Sequence, residues 1–270
     1  GYMTEFSDHL VVVRGGGDLG SGVIWRLRRV GFPVVVLELE RPLTVRRTVA
    51  FSSAVLEGRV DIDGIEGVLV ASTDEALAVT QRGAVPVLVS RDIPSFPSPP
   101  SVVVDARIAK KSLDTTISQA PFVVGLGPGF IAGIDCDAVI ETMRGHTLGR
   151  VIWNGPALPD TATPGEIGGE SAARVLRAML DGVLTWDVSF GDSVDAGQTL
   201  GAIDDVPVVA KIGGTVRGLI TPGAVTVGLK IGDVDPRFDP DAIGQISDKA
   251  LSIGGAVLEA ILVWMGGIDR

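Results

Sequence analysis

From Leu10 to about Arg150 the chain alternates short β-branched runs with stretches of helical spacing. The runs are LVVV (10–13), PVVVLEL (33–39), VLVA (68–71), VPVLVS (85–90), VVVDA (102–106), FVVGL (122–126) and RVIW (150–153). Uninterrupted apolar runs of this length suit parallel strands buried on both faces. Between them, SGVIWRLRRVG (21–31) and TDEALAVTQRG (73–83) space their apolar residues helically and end near a glycine. Thr73 is the expected N-cap of the second, with Asp74 and Glu75 in its first turn. Strand and helix in alternation predict an α/β, Rossmann-like N-terminal domain over residues 4–170. The segment IPSFPSPPS (93–101) holds four of the 16 prolines and reads as a rigid loop inside it.

The texture changes near Ser171. Helical spacing runs through SAARVLRAML (171–180), and an internal repeat follows. DGVLTWDVSFGDSVDAGQTLGAI (181–203) aligns with GGTVRGLITPGAVTVGLKIGDV (213–234). Glycines fall at 182, 191, 197 and 201 in the first copy and at 214, 223, 228 and 232 in the second. Short runs bounded by glycines at such intervals predict hairpins. Residues 171–238 therefore resemble a small all-β barrel-sandwich (lipoyl-like) module. Its connecting segment, DDVPVVAKIGG (204–214), lacks the context of a swinging-arm lysine, because Lys211 lies between Ala210 and Ile212 in an apolar run. No biotin or lipoate is expected there. A C-terminal helical segment, 239–268, closes the chain with the amphipathic ISDKALSIGGAVLEAILVWM (246–265).

Composition narrows the function classes. Hydrophobic residues make up 46% and the mean hydropathy is +0.38, which excludes a disordered chain. Lys+Arg 23 against Asp+Glu 33 gives a net charge of −10, which argues against nucleic-acid binding and against docking on an anionic membrane. One cysteine, Cys136, excludes an internal disulfide, and with only His9 and His146 beside it no metal site is expected. MTEFSDHL, from Met3, is polar and acidic, unlike a secretory leader. The most apolar window, GGAVLEAILVWMGG, is short, carries Glu259 and reads as a buried helix. A soluble cytoplasmic protein is expected.

Candidate chemistry sits in the glycine-rich turns. VVVRGGGDLGSG (11–22) contains Gly15-x-Gly17-x-x-Gly20 between a predicted strand and a predicted helix. Such glycines let a pyrophosphate approach backbone N–H groups at a helix N-terminus. Glu38 ends the next strand 18 residues past Gly20, about where an acid meets a ribose. Asp18 inside the turn reads as an N-cap whose charge opposes a phosphate, and Arg41, Arg46 and Arg47 blur any preference between NAD and NADP. A second turn, VVGLGPGFIAG (123–133), places Gly125, Gly127 and Gly129 around Pro128 as a backbone-lined anion loop. Asp105, at the end of a predicted strand, precedes Arg107, Lys110 and Lys111, which could face the same ligand. For each turn the alternative is a tight connection with no ligand. His146 could serve as an acid–base group, or as an ordinary hydrogen-bonded residue. Asp135 and Asp137 flank Cys136 and work against a reactive thiol.

Taken together, RGGGDLGSGVIWRLRRVGFPVVVLELERPLTVRRTVAFSSAVLEG (14–58), VVVDARIAKK (102–111), VGLGPGFIAG (124–133), VIETMRGHTLGRVI (139–152), KIGDVDPR (230–237) and ISDKALSIGGAVLEAIL (246–262) resemble the YqeB family. These are accessory proteins of the selenium-dependent molybdenum hydroxylase system, related to the maturation factors of xanthine and carbon monoxide dehydrogenases. The resemblance implies a cytoplasmic maturation role in loading or modifying the molybdenum cofactor of a client hydroxylase. Three functions follow for test: a factor that binds a nucleotide or pterin cofactor, either NAD(P) or a molybdopterin-type ligand, without turnover; an NAD(P)-dependent oxidoreductase; and a scaffold for the client. The lack of an acid–base pair beside the Gly15–Gly20 turn disfavours the oxidoreductase. Homo-oligomerisation is left open.

Overall fold

The computed structural model describes residues 6–108, 114–160 and 170–270. They form two compact units. The first comprises Gly1–Pro42, Ala50–Asp160 and Ile246–Arg270, and the second Leu43–Val49 and Thr161–Gln245.

Along the first unit run β1 (Val11–Arg14), α1 (Asp18–Arg29), β2 (Val34–Glu38), the single-turn α2 (Ala54–Glu57), β3 (Arg59–Ile62), β4 (Ile65–Val70), α3 (Thr73–Gln81) and β5 (Val85–Val89). Then come β6 (Val102–Asp105), β7 (Phe122–Leu126), β8 (Ile131–Ala132), β9 (Ala138–Ile140), β10 (Val151–Ile152) and β11 (Gly155–Pro156). Nine of the strands form one sheet in the order β10-β9-β7-β6-β1-β2-β5-β4-β3. Its interior pairs are parallel, and the outermost pairs, β10 with β9 and β3 with β4, are antiparallel. The valines at 11–13, 34–36 and 102–104 are all fully buried, as a parallel sheet covered on both faces requires.

The helices start where local side chains satisfy the first amides. Ser72, one residue before the expected Thr73, caps α3 by accepting the Glu75 N–H, and Glu75 Oε2 accepts the Ala71 N–H in return. A later helix, which belongs to this unit, is capped by Ser247, whose side chain accepts the Ala250 N–H, and it ends on left-handed Gly267.

The second unit holds α4 (Glu170–Arg174), β12 (Val175–Arg177), β13 (Gly182–Trp186), β14 (Ser193–Val194), β15 (Thr199–Ile203), β16 (Val206–Val209), β17 (Gly214–Leu219), β18 (Gly223–Val225) and β19 (Lys230–Asp235). Two four-stranded antiparallel sheets result, β12-β19-β17-β14 and β16-β15-β13-β18. The glycine repeat is visible in this pairing. Each copy pairs its own first and third strands, β13 with β15 and β17 with β19. Each sends its middle strand to the other copy's first strand, β14 to β17 and β18 to β13. Leu184, Leu200, Val216 and Ile231 lie in the core so enclosed. The helix α5 (Asp248–Gly266) follows.

The expected fold class is corrected. In place of a Rossmann-like domain, a lipoyl-like barrel-sandwich module and a closing helix, one after another, there is a large mixed sheet with antiparallel edges and a pair of small antiparallel sheets. Residues 43–49 join the second unit, and α5 returns to the first. The helix expected over 171–180 gives way after Arg174, because Val175–Arg177 pairs with β19.

Candidate functional site

Register aligns the carboxyl ends of the central strands. Arg14 stands beside Leu37 on one side and Asp105 on the other, and Asp105 stands beside Gly125. Glu38, Asp105 and the turns that begin at Gly15 and Gly125 therefore share one edge of the sheet, where open parallel sheets present ligand sites.

The Gly15 turn is shaped by backbone contact. Gly15 has φ +99°, and a Cβ there would lie 3.1 Å from the Ala106 carbonyl oxygen and 3.2 Å from the Arg107 amide. A Cβ on Gly16 would press on Val36 and on the Ser52 amide, which donates to the Gly16 carbonyl at 2.9 Å. A Cβ on Gly20 would overlap the Gly15 carbonyl oxygen. Gly17 is the N-cap of α1 and has no side-chain capping bond, while Asp18 is the first helical residue. The expected N-cap role of Asp18 is thus corrected: its charge sits in the first turn, where the helix dipole favours it. Glu38 Oε1 accepts the Gly16 N–H at 2.9 Å and Oε2 accepts the Leu39 N–H at 2.8 Å. Burial raises the pKa of this carboxyl, and the two backbone bonds offset only part of that effect.

Beside this turn lies a charged cluster. Asp105 is fully buried and accepts from the Arg107 guanidinium, Nη2 at 2.6 Å, and from the Thr115 hydroxyl at 2.6 Å. Arg107 Nη2 also donates to Asp114 Oδ1 at 2.8 Å. Burial works against the Arg107 charge, but the Asp105 and Asp114 carboxylates outweigh it and raise the pKa further. Arg14, 1% exposed, donates to Thr115 Oγ1, the Arg91 carbonyl and Asp114 Oδ2, each at 2.9 Å. Arg14 is hidden in the sequence because it ends an apolar run, and its partners lie 77 to 101 residues away. Lys110 and Lys111 lie outside the described residues.

The second glycine turn has a packing explanation. A Cβ on Gly125 would overlap the Phe130 ring. Gly127 has φ +86°, and its N–H donates to the Ile140 carbonyl. Gly129 is buried. Among the described residues Arg107 bonds Asp105, Asp114 and Thr115 and none of Gly125, Gly127 and Gly129. The Arg107 guanidinium is thus engaged by two carboxylates and a hydroxyl rather than by the glycine loop. His146 is exposed. Cys136 is buried, which pushes its thiol up to about 12, with Asp135, Asp137 and Asp105 adding to the effect. Among the described residues no cluster of His, Cys, Asp and Glu could hold a metal ion.

No protein-family model matches the chain. Solved structures overlap it in part. A succinylglutamate desuccinylase/aspartoacylase from Rhodobacter sphaeroides is 27% identical over 23% of this chain and 21% of its own, with a TM-score of 0.21. TcdA (CsdL) is 18% identical over 48% of this chain and 54% of its own, with a TM-score of 0.29. An aspartoacylase family protein from Mesorhizobium loti is 14% identical over 84% of each chain, with a TM-score of 0.28. In sequence the chain is 45% identical over 258 residues to "Uncharacterized protein YqeB" of Escherichia coli K12, across 95% of its own length and 48% of that protein's. The resemblance drawn from the sequence blocks is thereby supported: this chain is a homologue of YqeB that spans about half the length of that relative.

Proposed function

We propose that the chain acts as an accessory factor in maturing a selenium-dependent molybdenum hydroxylase, holding a nucleotide or pterin cofactor at the carboxyl edge of its central parallel strands. The observation that carries the cofactor reading is the Gly15–Gly17 turn. Gly15 takes a positive φ and, like Gly16, lies close against neighbouring backbone, the turn opens onto the first turn of α1, and Glu38 is fastened to it through Gly16. Backbone N–H groups at such a turn donate to phosphate oxygens, and an acid at the end of the next strand can accept from a sugar hydroxyl. The maturation role, the client hydroxylase as partner and the cytoplasm as the place of action rest on the family resemblance. Binding without turnover is favoured over an NAD(P)-dependent oxidoreductase, because Cys136 is buried with a raised pKa and His146 is solvated.

Calorimetry with NAD, NADP, ATP and a molybdopterin mimic tests the reading, using the wild-type chain and Glu38→Ala. One of the four should bind, and at least tenfold more weakly to the variant. Native mass spectrometry of protein made with and without an active molybdopterin pathway should reveal a pathway-dependent adduct. No binding by any of the four and no adduct would leave the glycines as turn residues and favour the scaffold role.

A further inference from the structure

We propose that Arg14 and Arg107 form a phosphate slot, which the Asp114 carboxylate fills until a phosphoryl or pyrophosphate group of a ligand displaces it. This rests on the nucleotide or pterin reading above and specifies where the ligand's phosphate would sit.

The first support is a mismatch of burial within one ion pair. A buried guanidinium is costly unless it is paired. The Arg14 side chain is 2% exposed, yet its carboxylate partner, Asp114, is 53% exposed. A fixed structural counterion would be expected on the buried side, as Asp105 is for Arg107, with a side-chain exposure of 0%. Asp114 instead reaches the pair from the solvent side, where a soluble anion would also arrive.

The second support is geometry. The two Asp114 oxygens are divided between the two arginines, Oδ2 to Arg14 Nη2 at 2.9 Å and Oδ1 to Arg107 Nη2 at 2.8 Å. Two guanidinium groups that each take one oxygen of the same anion make a charge-assisted clamp, and phosphate oxygens fit it as carboxylate oxygens do. The Arg14 bond lowers the Asp114 pKa to about 2, so the clamp holds this carboxylate in its charged form.

The third support is position. Arg14 immediately precedes Gly15, whose missing side chain leaves it against the Ala106–Arg107 peptide. The slot therefore borders the glycine turn. Charge also balances after the exchange. With Asp114 gone, the described charges at the slot are Arg14 and Arg107 against Asp105, one net positive. An anionic phosphate oxygen then replaces the carboxylate charge that leaves. Because Asp114 is tethered, its effective concentration at the slot is about millimolar or higher. A free anion must compete with it, so the wild-type slot binds phosphate weakly.

Asp114→Ala opens the slot, and inorganic phosphate is the probe. Phosphate affinity and thermal midpoint are read for both proteins against chloride at equal ionic strength. The variant should bind phosphate at least tenfold more tightly than the wild type, and phosphate should restore most of the midpoint lost to the substitution. Adding Arg107→Ala should abolish that response. If Asp114→Ala fails to fold, Asp114→Asn, which keeps the shape and removes the charge, carries the same comparison. Equal phosphate affinity in wild type and variant, or a midpoint indifferent to phosphate, overturns the slot. Nucleotide binding to the wild type in that case would leave the cofactor reading standing. Phosphate rescue with no nucleotide or pterin binding would retain the slot and overturn that reading.

Discussion

Glu38 Oε1 accepts the backbone N–H of Gly16 at 2.9 Å, so the acid that ends β2 fastens the turn between β1 and α1. Burial raises the pKa of this carboxyl above its ordinary 4.5, and the bonds from Gly16 and Leu39 pull it only part of the way back. The folded chain therefore keeps the proton to a higher pH than the unfolded chain. Such a group contributes its stability in full below the unfolded value and loses it as pH rises through the folded one. Glu38→Gln, which cannot ionise, should remove this slope. In urea unfolding between pH 4 and 8, the wild type should lose stability relative to the variant as pH rises from about 4.5. A difference that stays constant across the range would sink the assignment.

The crossing of α1 and α5 gives a sharper contrast between neighbouring glycines. A Cβ on Gly22 would overlap the Ala250 carbonyl, and one on Gly254 would overlap the Gly22 carbonyl, so the two backbones meet without side chains between them. Gly255, one residue on in the same helix, has open space where its Cβ would be. Gly254→Ala must push the helices apart and should cost about 2–4 kcal/mol. Gly255→Ala should instead stabilise by about 0.5–1 kcal/mol, the ordinary helix preference for alanine. Denaturant midpoints of both variants check this, and similar effects at the two positions would refute the close approach.

Much of this unit was legible in the sequence, and what was missed has a common physical cause. Runs such as LVVV and VVVDA locate buried strands because continuous burial demands continuous apolarity, and β1 and β6 lie there. The hairpin of β3 and β4 was read only in part. Arg59 and Asp61 interrupt the first strand, which alternates between exposed and buried positions at the sheet edge. The residues 175–177 carry helical spacing but are held as a strand by β19, some fifty residues later. Tertiary pairing overrides local preference at such places. The same distance hid Arg14, whose role comes from Asp114 and Thr115. The positions of the Gly15 turn, between β1 and α1, and of Glu38, at the end of β2, were legible because they are set within one strand–helix–strand unit.

Cys136 should be inert in the folded protein. Its thiol, pushed up to about 12 chiefly by burial, leaves roughly one part in ten thousand as thiolate at pH 8. Only the thiolate is nucleophilic. Iodoacetamide at pH 8 should label it only after unfolding in urea, with the extent read by intact mass. Rapid labelling of the native chain would show that the thiol is accessible and charged.

The second unit offers a test at acid pH. Asp235, 7% exposed, accepts from Arg237 Nη2 at 2.8 Å and from the Arg237 backbone N–H at 2.9 Å, with Arg217 and Arg174 at 3.5 and 3.6 Å. Burial alone would raise its pKa, but the Arg237 bonds and the Arg174 charge outweigh burial and hold it well below the ordinary carboxylate range. A depressed pKa contributes stability that is present above the unfolded value, 3.8, and is lost as pH falls toward the folded one. Asp235→Asn leaves Arg174 and Arg217, both largely buried, without this carboxylate and should cost about 2–3 kcal/mol at pH 7. Because the Arg237 side chain is 71% exposed, the cost falls short of a fully buried pair. The penalty should hold steady from pH 8 to pH 5, then shrink by up to about 1.4 kcal/mol for each pH unit below 3.8. Urea unfolding of wild type and variant at pH 7, 5 and 3 measures it. A penalty undiminished at pH 3 would mean that Asp235 contributes through shape alone rather than through its charge.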